Sequence, residues 1–298
     1  MTEPMKRDGL VLGMSEDEYH GQGEYERFRT AEFSSSAAKT IRESAAHYDW
    51  EYNKGHAKRS KAMDIGTATH ALVLEGRDIT ALWPEDLLTP SGRRSTGKEA
   101  QEWEAAQEAA GLIVVSDAEK EAITVMADNV RLHPDCGPAL AQPGNAEASM
   151  FGTCPETGLR LRGRFDFLPH AHPIALDLKT AQNSSLKGFT RAIDDRSYDV
   201  QWGHYLDLAS IIGLDYVKDM MFIVVANVPP FNVNVIQLDE YWKEMGMERA
   251  RGARRRFLEC SESGVWPGYP PGVKTASPPP WVVNSYEDEL NEEMDAAR

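Results

Sequence analysis

The stretch Gly163-Arg164-Phe165-Asp166, followed by Ile174-Ala175-Leu176-Asp177-Leu178-Lys179-Thr180, decides the fold of this chain. It predicts two neighbouring strands, of which the first delivers an aspartate and the second an aspartate and, two residues later, a lysine. Because side chains alternate between the faces of a strand, Asp177 and Lys179 should point one way while the leucines beside them point into the core. The pattern therefore predicts two carboxylates and one ammonium group side by side.

Such a set is typical of metal-dependent phosphodiester hydrolysis, in which phosphate charge is neutralised, a water is activated and the leaving oxygen is stabilised. Mg²⁺ takes hard oxygen ligands and keeps several waters, so Asp166, Asp177 and the backbone carbonyl of Leu178 are candidate ligands. Lys179 would orient or deprotonate the attacking water, or compensate charge in the transition state. Alternatively, the aspartates only form a cross-strand salt bridge with Arg164 or Lys179, because single D-x-K matches are common by chance.

The surrounding sequence predicts an α/β protein with a mixed sheet flanked by helices. Strands are predicted over residues 146–152, 159–168, 173–180, 220–227 and 232–237, and helices over 37–48, 61–74, 98–110, 198–212 and 239–260. We expect one domain over residues 1–272. A Pro-rich, acidic and extended C-terminal tail should follow over residues 273–298.

Composition narrows the class of protein. The N-terminus has no apolar signal segment and no run approaches the ~20 apolar residues of a membrane span, so we expect a cytoplasmic protein without a membrane partner. The three cysteines, Cys136, Cys154 and Cys260, form no CxxC pair, which disfavours disulfides and cysteine metal clusters. A net charge of −15 disfavours nucleic acid as a partner, although arginines cluster at 160–164 and 249–256.

Four segments resemble the motifs of PD-(D/E)XK nucleases: GTATHALVLEG (66–76), LRGRFDFLP (161–169), IALDLKTAQ (174–182) and VQWGHYLDLA (200–209). They are most similar to the exodeoxyribonuclease VIII-like group of phage and prophage recombination exonucleases, which share helical GxxxH and QxxxY elements with RecB-type nuclease domains. The segment GVWPGYPP (264–271) resembles the C-terminal region of that group. The resemblance spans roughly residues 30–272, with the motifs in the right order.

The resemblance implies a role for each matching position. His70 would bind the metal or position the metal-bound water, and Asp166 and Asp177 would be the metal carboxylates. The residues that would act in catalysis are Asp166, Asp177, Lys179, Gln201 and Tyr205. Of these, Lys179 would be the catalytic lysine, while Gln201 and Tyr205 would contact the DNA backbone or brace the active-site strands. Glu147, on the strand before Asp166, matches an additional acidic position.

The resemblance also implies a restriction-endonuclease-like fold and a Mg²⁺-dependent exonuclease, with Mn²⁺ as a substitute. The enzyme would digest double-stranded DNA from a 5′ end, leave 3′ overhangs and act with a single-strand annealing recombination protein. The group tends to form homo-oligomeric rings around DNA, and the arginine clusters would then line a basic channel. Two alternatives remain: an endonuclease or end-trimming nuclease of the same fold, and a non-catalytic DNA-binding assembly protein.

Overall fold

The computed structural model of the chain describes residues 8–20, 32–56 and 61–296. The strands are β1 (Gly9–Val11), β2 (Thr80–Leu82), β3 (Ile113–Val115), β4 (Gly144–Thr153), β5 (Arg160–Pro169), β6 (Ile174–Ala181), β7 (Asp219–Ala226) and β8 (Val233–Gln237). The α-helices are α1 (Glu16–His20), α2 (Ser35–Glu43), α3 (Ala45–Tyr48), α4 (Lys61–Glu75), α5 (Lys98–Ala109), α6 (Asp117–Leu132), α7 (Cys136–Ala141), α8 (Leu186–Asp195), α9 (Tyr198–Ile211), α10 (Glu240–Ser263) and α11 (Pro280–Ala296).

A six-stranded mixed sheet in the order β1-β4-β5-β6-β7-β8 lies at the centre of the fold. Strands β6 and β7 run parallel, and the other neighbouring pairs in this sheet are antiparallel. Parallel strands need a long crossover connection, and α8 and α9 provide it between β6 and β7. The predicted mixed sheet flanked by helices is confirmed.

The central sheet separates two apolar cores. Helices α2, α9 and α10 cover one face, which includes Phe222 and Val224, while α4 and α6 cover the other face, which includes Leu176 and Leu178. Asp177 lies between these two leucines and points to the opposite side, as the alternation predicts, with 0% of its surface exposed. A buried carboxylate must be paired to be stable, so the sheet places a polar site at this point of β6.

Helices α9 and α10 touch through two glycines. A Cβ atom on Gly203 would lie 2.4 Å from the carbonyl oxygen of Gly246, and a Cβ on Gly246 would lie 2.2 Å from that of Asp199. No side chain other than hydrogen fits at either position. The contact fixes α9, the helix that carries the QxxxY element, over the sheet.

The extended structure predicted for the C-terminal tail is wrong for residues Pro280–Ala296, which form α11. Proline is compatible with the first turn of a helix, so the prolines at 278–280 precede and open α11 rather than prevent it. The chain divides into a compact unit Met1–Trp266 and a second unit Pro267–Arg298. None of the helices in the described ranges is both long enough and apolar enough to cross a membrane.

The expected channel role is wrong for three of the clustered arginines, because their side chains are buried within the chain. Arg162 and Arg164 are each 5% exposed and Arg254 is 1% exposed. Arg164 Nε donates to Ser149 Oγ at 2.8 Å, and Arg254 forms an ion pair with Asp207. These guanidinium groups bind partners inside the chain and are not on its surface.

Candidate active site

Asp166 occupies the centre of the site, on β5 next to β6. Its Oδ2 atom accepts a hydrogen bond from the backbone N–H of Leu178 at 2.7 Å and lies 3.5 Å from Nδ1 of His70. Burial, followed by the negative charge of Asp177, raises the pKa of Asp166 well above its ordinary value. The two aspartates predicted from the sequence are therefore neighbours that repel each other when both are ionised.

Helix α4 packs against β6 and brings His70 to Asp166. Gly66 lies next to Thr180 of β6, since a Cβ on it would be 3.4 Å from Thr180 Oγ1, and His70 follows one turn later. Burial and then the charge of Lys179 lower the pKa of His70, although a hydrogen bond with the Leu178 backbone acts in the opposite direction. The neutral imidazole is the form that binds metal ions.

Glu147 lies opposite Asp166 across the β4–β5 pair, since Ala146 and Ala148 on either side of it pair with Phe167 and Phe165. Its backbone φ is 51°, in the left-handed region that side chains other than glycine rarely adopt. Such strain amounts to about 1–3 kcal/mol and clusters at functional sites. Burial, followed by the charge of Asp166, raises the pKa of Glu147 to about 8.

His70, Glu147 and Asp166 fit a divalent cation. One ligand atom from each residue lies within 4.8 Å of the others, and two oxygens on opposite sides of one Mg²⁺ are about 4.2 Å apart. Small adjustments would therefore bring all three atoms to a single ion. Partial burial raises the pKa of both carboxyls first; the charge of Asp166 then adds to the shift at Glu147, and the charge of Asp177 adds to the shift at Asp166. A cation bound here would offset the cost of ionising both groups.

The carboxylate of Asp177, predicted as a metal ligand, makes a separate set of contacts. Its Oδ2 accepts a hydrogen bond from Gln201 Nε2 at 2.6 Å, and its Oδ1 forms an ion pair with Lys179 Nζ. Burial lowers the pKa of Lys179, but the charges of Asp177 and Asp166 outweigh it and raise that pKa. Lys179 is thus held as an ammonium group beside Asp166.

Tyr205 follows Gln201 by one turn of α9 and packs against β5. Its side chain is 7% exposed, and its ring meets the Phe165 ring edge-on with centroids 5.6 Å apart. Burial raises the pKa of Tyr205, while a hydrogen bond with the side chain of Ser35 acts in the opposite direction. Gln201 thus bonds to β6 and Tyr205 packs on β5, so both side chains contact the strands that carry the two aspartates.

Two further contributions to the site were missed in the sequence. Lys39 on α2 donates from Nζ to Gln201 Oε1 at 3.0 Å, although the two residues are 162 positions apart. Arg164, predicted as a salt-bridge partner of the aspartates or as part of a basic channel, lies 3.4 Å from Glu147 and 3.3 Å from Glu16 of α1. The contacts of Lys39 with Gln201 and of Arg164 with Glu16 join elements that are distant in the chain, so no local motif marks them. The only sequence signal is that Ser35 and Lys39 lie four apart on one face of α2.

Comparisons with known proteins identify the family and the fold of the chain. The family model described as "PDDEXK-like domain of unknown function (DUF3799)" matches residues 34–274. A solved structure from Eubacterium rectale, named "Putative exonuclease", has 12% sequence identity and a TM-score of 0.57, covering 90% of this chain and 97% of that one. A second structure, of SSO0001, covers 71% of this chain and 84% of that one at 12% identity, and its TM-score of 0.27 supports no argument.

Among curated proteins, no sequence matches this chain significantly. The family model covers most of the chain, including each of the predicted site residues, and the Eubacterium rectale structure shares the fold. The chain therefore belongs to the PDDEXK-like family and has the mixed-sheet fold of the PD-(D/E)XK nucleases.

Proposed function

We propose that this protein is a metal-dependent deoxyribonuclease, and more narrowly an exonuclease that digests one strand of duplex DNA from its 5′ end and leaves a 3′ overhang. One observation carries the proposal. The potential ligands His70, Glu147 and Asp166 converge beside the buried Asp177–Lys179 ion pair. Crowded carboxylates beside a partly buried ammonium group disfavour folding. A protein that only binds DNA does not need this arrangement, whereas a metal-dependent nuclease does.

A divalent ion held by His70, Glu147 and Asp166, with the Leu178 carbonyl as a further candidate ligand, would supply a Lewis acid for the scissile phosphate. The raised pKa of Lys179 makes it a poor base at neutral pH. We therefore assign to it the stabilisation of negative charge on the phosphate, or the orientation of the attacking water, rather than proton removal. Asp177 keeps Lys179 charged and in place.

The resemblance to recombination exonucleases supports a wider proposal. The protein would process double-stranded DNA ends in phage-type homologous recombination, use Mg²⁺, and deliver the 3′ overhang to a single-strand annealing protein. A homo-oligomeric ring would keep the enzyme on its substrate in spite of a net charge of −15. Because Arg162, Arg164 and Arg254 are buried, the basic surface of such a ring would have to come from other residues.

Digestion of end-labelled linear duplex DNA, with closed circular duplex as the control, tests the proposal. We expect loss of linear DNA only, with Mg²⁺ present, and early release of a 5′ label. Cleavage of the circle would instead establish an endonuclease of the same fold. Binding of DNA without cleavage in Mg²⁺ or Mn²⁺ would establish a non-catalytic assembly protein and overturn the proposal.

A further inference from the structure

Helices α2 and α9 are joined by a side-chain hydrogen bond next to the site. Lys39 Nζ of α2 donates to Gln201 Oε1 of α9 at 3.0 Å. Helix α2 thus contacts the glutamine of the QxxxY element. Among the described elements other than β6, only α2 carries a side chain that hydrogen-bonds to the Gln201 side chain.

The orientation of the Gln201 amide matters because its oxygen and nitrogen ends have nearly the same shape but opposite hydrogen-bonding character. An ionised Asp177 can only accept a hydrogen bond, so Nε2 must face it. In its protonated form Lys39 can only donate, so it then selects Oε1 at the other end of the same amide. Without Lys39, the amide could rotate and present oxygen to a buried carboxylate.

Lys39 has the surroundings of an active-site group. Its Nζ lies 4.9 Å from the centroid of the Tyr198 ring, and Lys179 Nζ lies 5.3 Å from the same centroid. Burial, followed by the charges of Lys179 and Arg196, lowers the pKa of Lys39 to about 7, against the opposing charges of Asp177 and Asp199. Retaining a second, partly buried lysine so close to Lys179 is unfavourable in itself, which argues that Lys39 has a function.

We propose that Lys39 is a positioning residue of the nuclease site: by donating to Gln201 Oε1, it holds Gln201 Nε2 on Asp177 and so keeps the Asp177–Lys179 pair in its active arrangement. This inference rests on the proposed function for its effect on the reaction. Its structural part, the fixed orientation of the Gln201 amide, does not depend on any activity.

The kinetic test compares Lys39→Met, Lys39→Arg and a control, Lys187→Met, which changes an exposed lysine on α8. Lys39→Met should lower kcat by about 10- to 100-fold, the usual effect of losing one charge-assisted hydrogen bond, with little change in KM. Lys39→Arg, which keeps donors and charge, should recover part of the loss, and Lys187→Met should behave as wild type. Combining Lys39→Met with Gln201→Leu should be no worse than Gln201→Leu alone, because the two residues act in series.

The structural test uses NMR of the metal-free, DNA-free protein, in which the Gln201 side-chain amide signals are identified by their loss in Gln201→Leu. These protons should exchange slowly with solvent in wild type and in Lys187→Met, and rapidly in Lys39→Met. Unchanged exchange in Lys39→Met, or additive kinetic losses in the double variant, would overturn the inference. If Lys39→Met does not fold, slow exchange retained in Lys39→Arg supports it, and exchange as rapid as in free glutamine contradicts it. Slow exchange in wild type and rapid exchange in Lys39→Met, found for a protein without nuclease activity, would support the inference about Gln201 and refute only the proposed function.

Discussion

Glu147 faces Asp166 across the β4–β5 pair, and the backbone of Glu147 adopts a left-handed φ of 51° there, within a strand. Two partly buried carboxylates, when both are ionised, and a strained residue destabilise the metal-free fold. A cation bound between the carboxylates would offset their repulsion and would explain why the strained backbone of Glu147 is retained. The pair therefore links the stability of the protein to its metal, and the first two predictions follow from that link.

Glu147→Gln should stabilise the metal-free protein at pH 8 by about 1 kcal/mol, because it removes a buried charge that is repelled by Asp166 while keeping the shape of the side chain. The same change should weaken Mn²⁺ binding, since one anionic ligand is lost. Thermal unfolding with and without Mn²⁺, together with calorimetric titration, measures both effects. Glu156→Gln, an exposed change in the β4–β5 turn, is the matched control. A variant that binds Mn²⁺ like wild type would remove Glu147 from the metal site.

The stability of the metal-free protein should depend on pH through Glu147. Its pKa in the folded protein, about 8, lies above the ordinary value of 4.5, so its contribution to stability is complete below pH 4.5 and is lost as pH rises towards 8. Metal binding should follow the opposite trend and tighten from pH 6 to pH 8, as protons leave the ligands. Melting temperatures and Mn²⁺ affinities at several pH values test this. Glu147→Gln should show a smaller dependence of both quantities.

Lys179→Met should slow cleavage by about 10²- to 10⁴-fold, the range for loss of a group that acts on the reacting atoms. It should also destabilise the protein by about 3–5 kcal/mol, because Asp177 is left buried without its counter-charge. Chemical denaturation and single-turnover kinetics measure the two losses. Adding Asp177→Asn should restore stability without restoring activity. Recovery of activity in that double variant would show that neither charge is needed for the reaction.

Gly246→Ala should destabilise the protein by about 1–3 kcal/mol, because the new Cβ atom would lie 2.2 Å from the backbone oxygen of Asp199 and force α9 and α10 apart. Gly252→Ala on the same α10 is a close control, since the nearest atom to its Cβ is the end of the Arg255 side chain at 3.8 Å. That control should be neutral or slightly stabilising, because alanine favours helices over glycine. Urea denaturation compares the two, and equal effects would contradict the close packing of these helices.

The sequence allowed prediction of those parts of the fold that depend on local pattern. The alternation around Asp177 correctly placed Leu176 and Leu178 in one core and the carboxylate on the opposite face. The predicted helix over 37–48 is interrupted because Ser44 ends α2 in an extended conformation and caps α3 with its side chain. A serine at this position is compatible with either outcome, and packing decides between them.

The sequence indicated candidate residues of the site, but it did not indicate which of them contact one another. The positions of His70, Asp166 and Lys179 in predicted strands and helices made them candidates. These positions could not show that Glu147 would face Asp166 with its backbone in the left-handed region. Nor could it show that Asp177 would bond to Gln201, or that Lys39 would hold the far end of that amide. Such contacts depend on how helices from different parts of the chain cover the sheet, which a single sequence does not specify.

The rate of cleavage of a linear duplex as a function of Mg²⁺ concentration, for wild type and for Asp166→Asn, tests the central claim most directly. We predict no cleavage by wild type in excess chelator and a saturable rise with Mg²⁺. Asp166→Asn should require at least about tenfold more Mg²⁺ or fail to cleave, although it folds. Cleavage in chelator, or an Asp166→Asn variant with the same Mg²⁺ dependence as wild type, would contradict the assignment of His70, Glu147 and Asp166 as the metal site.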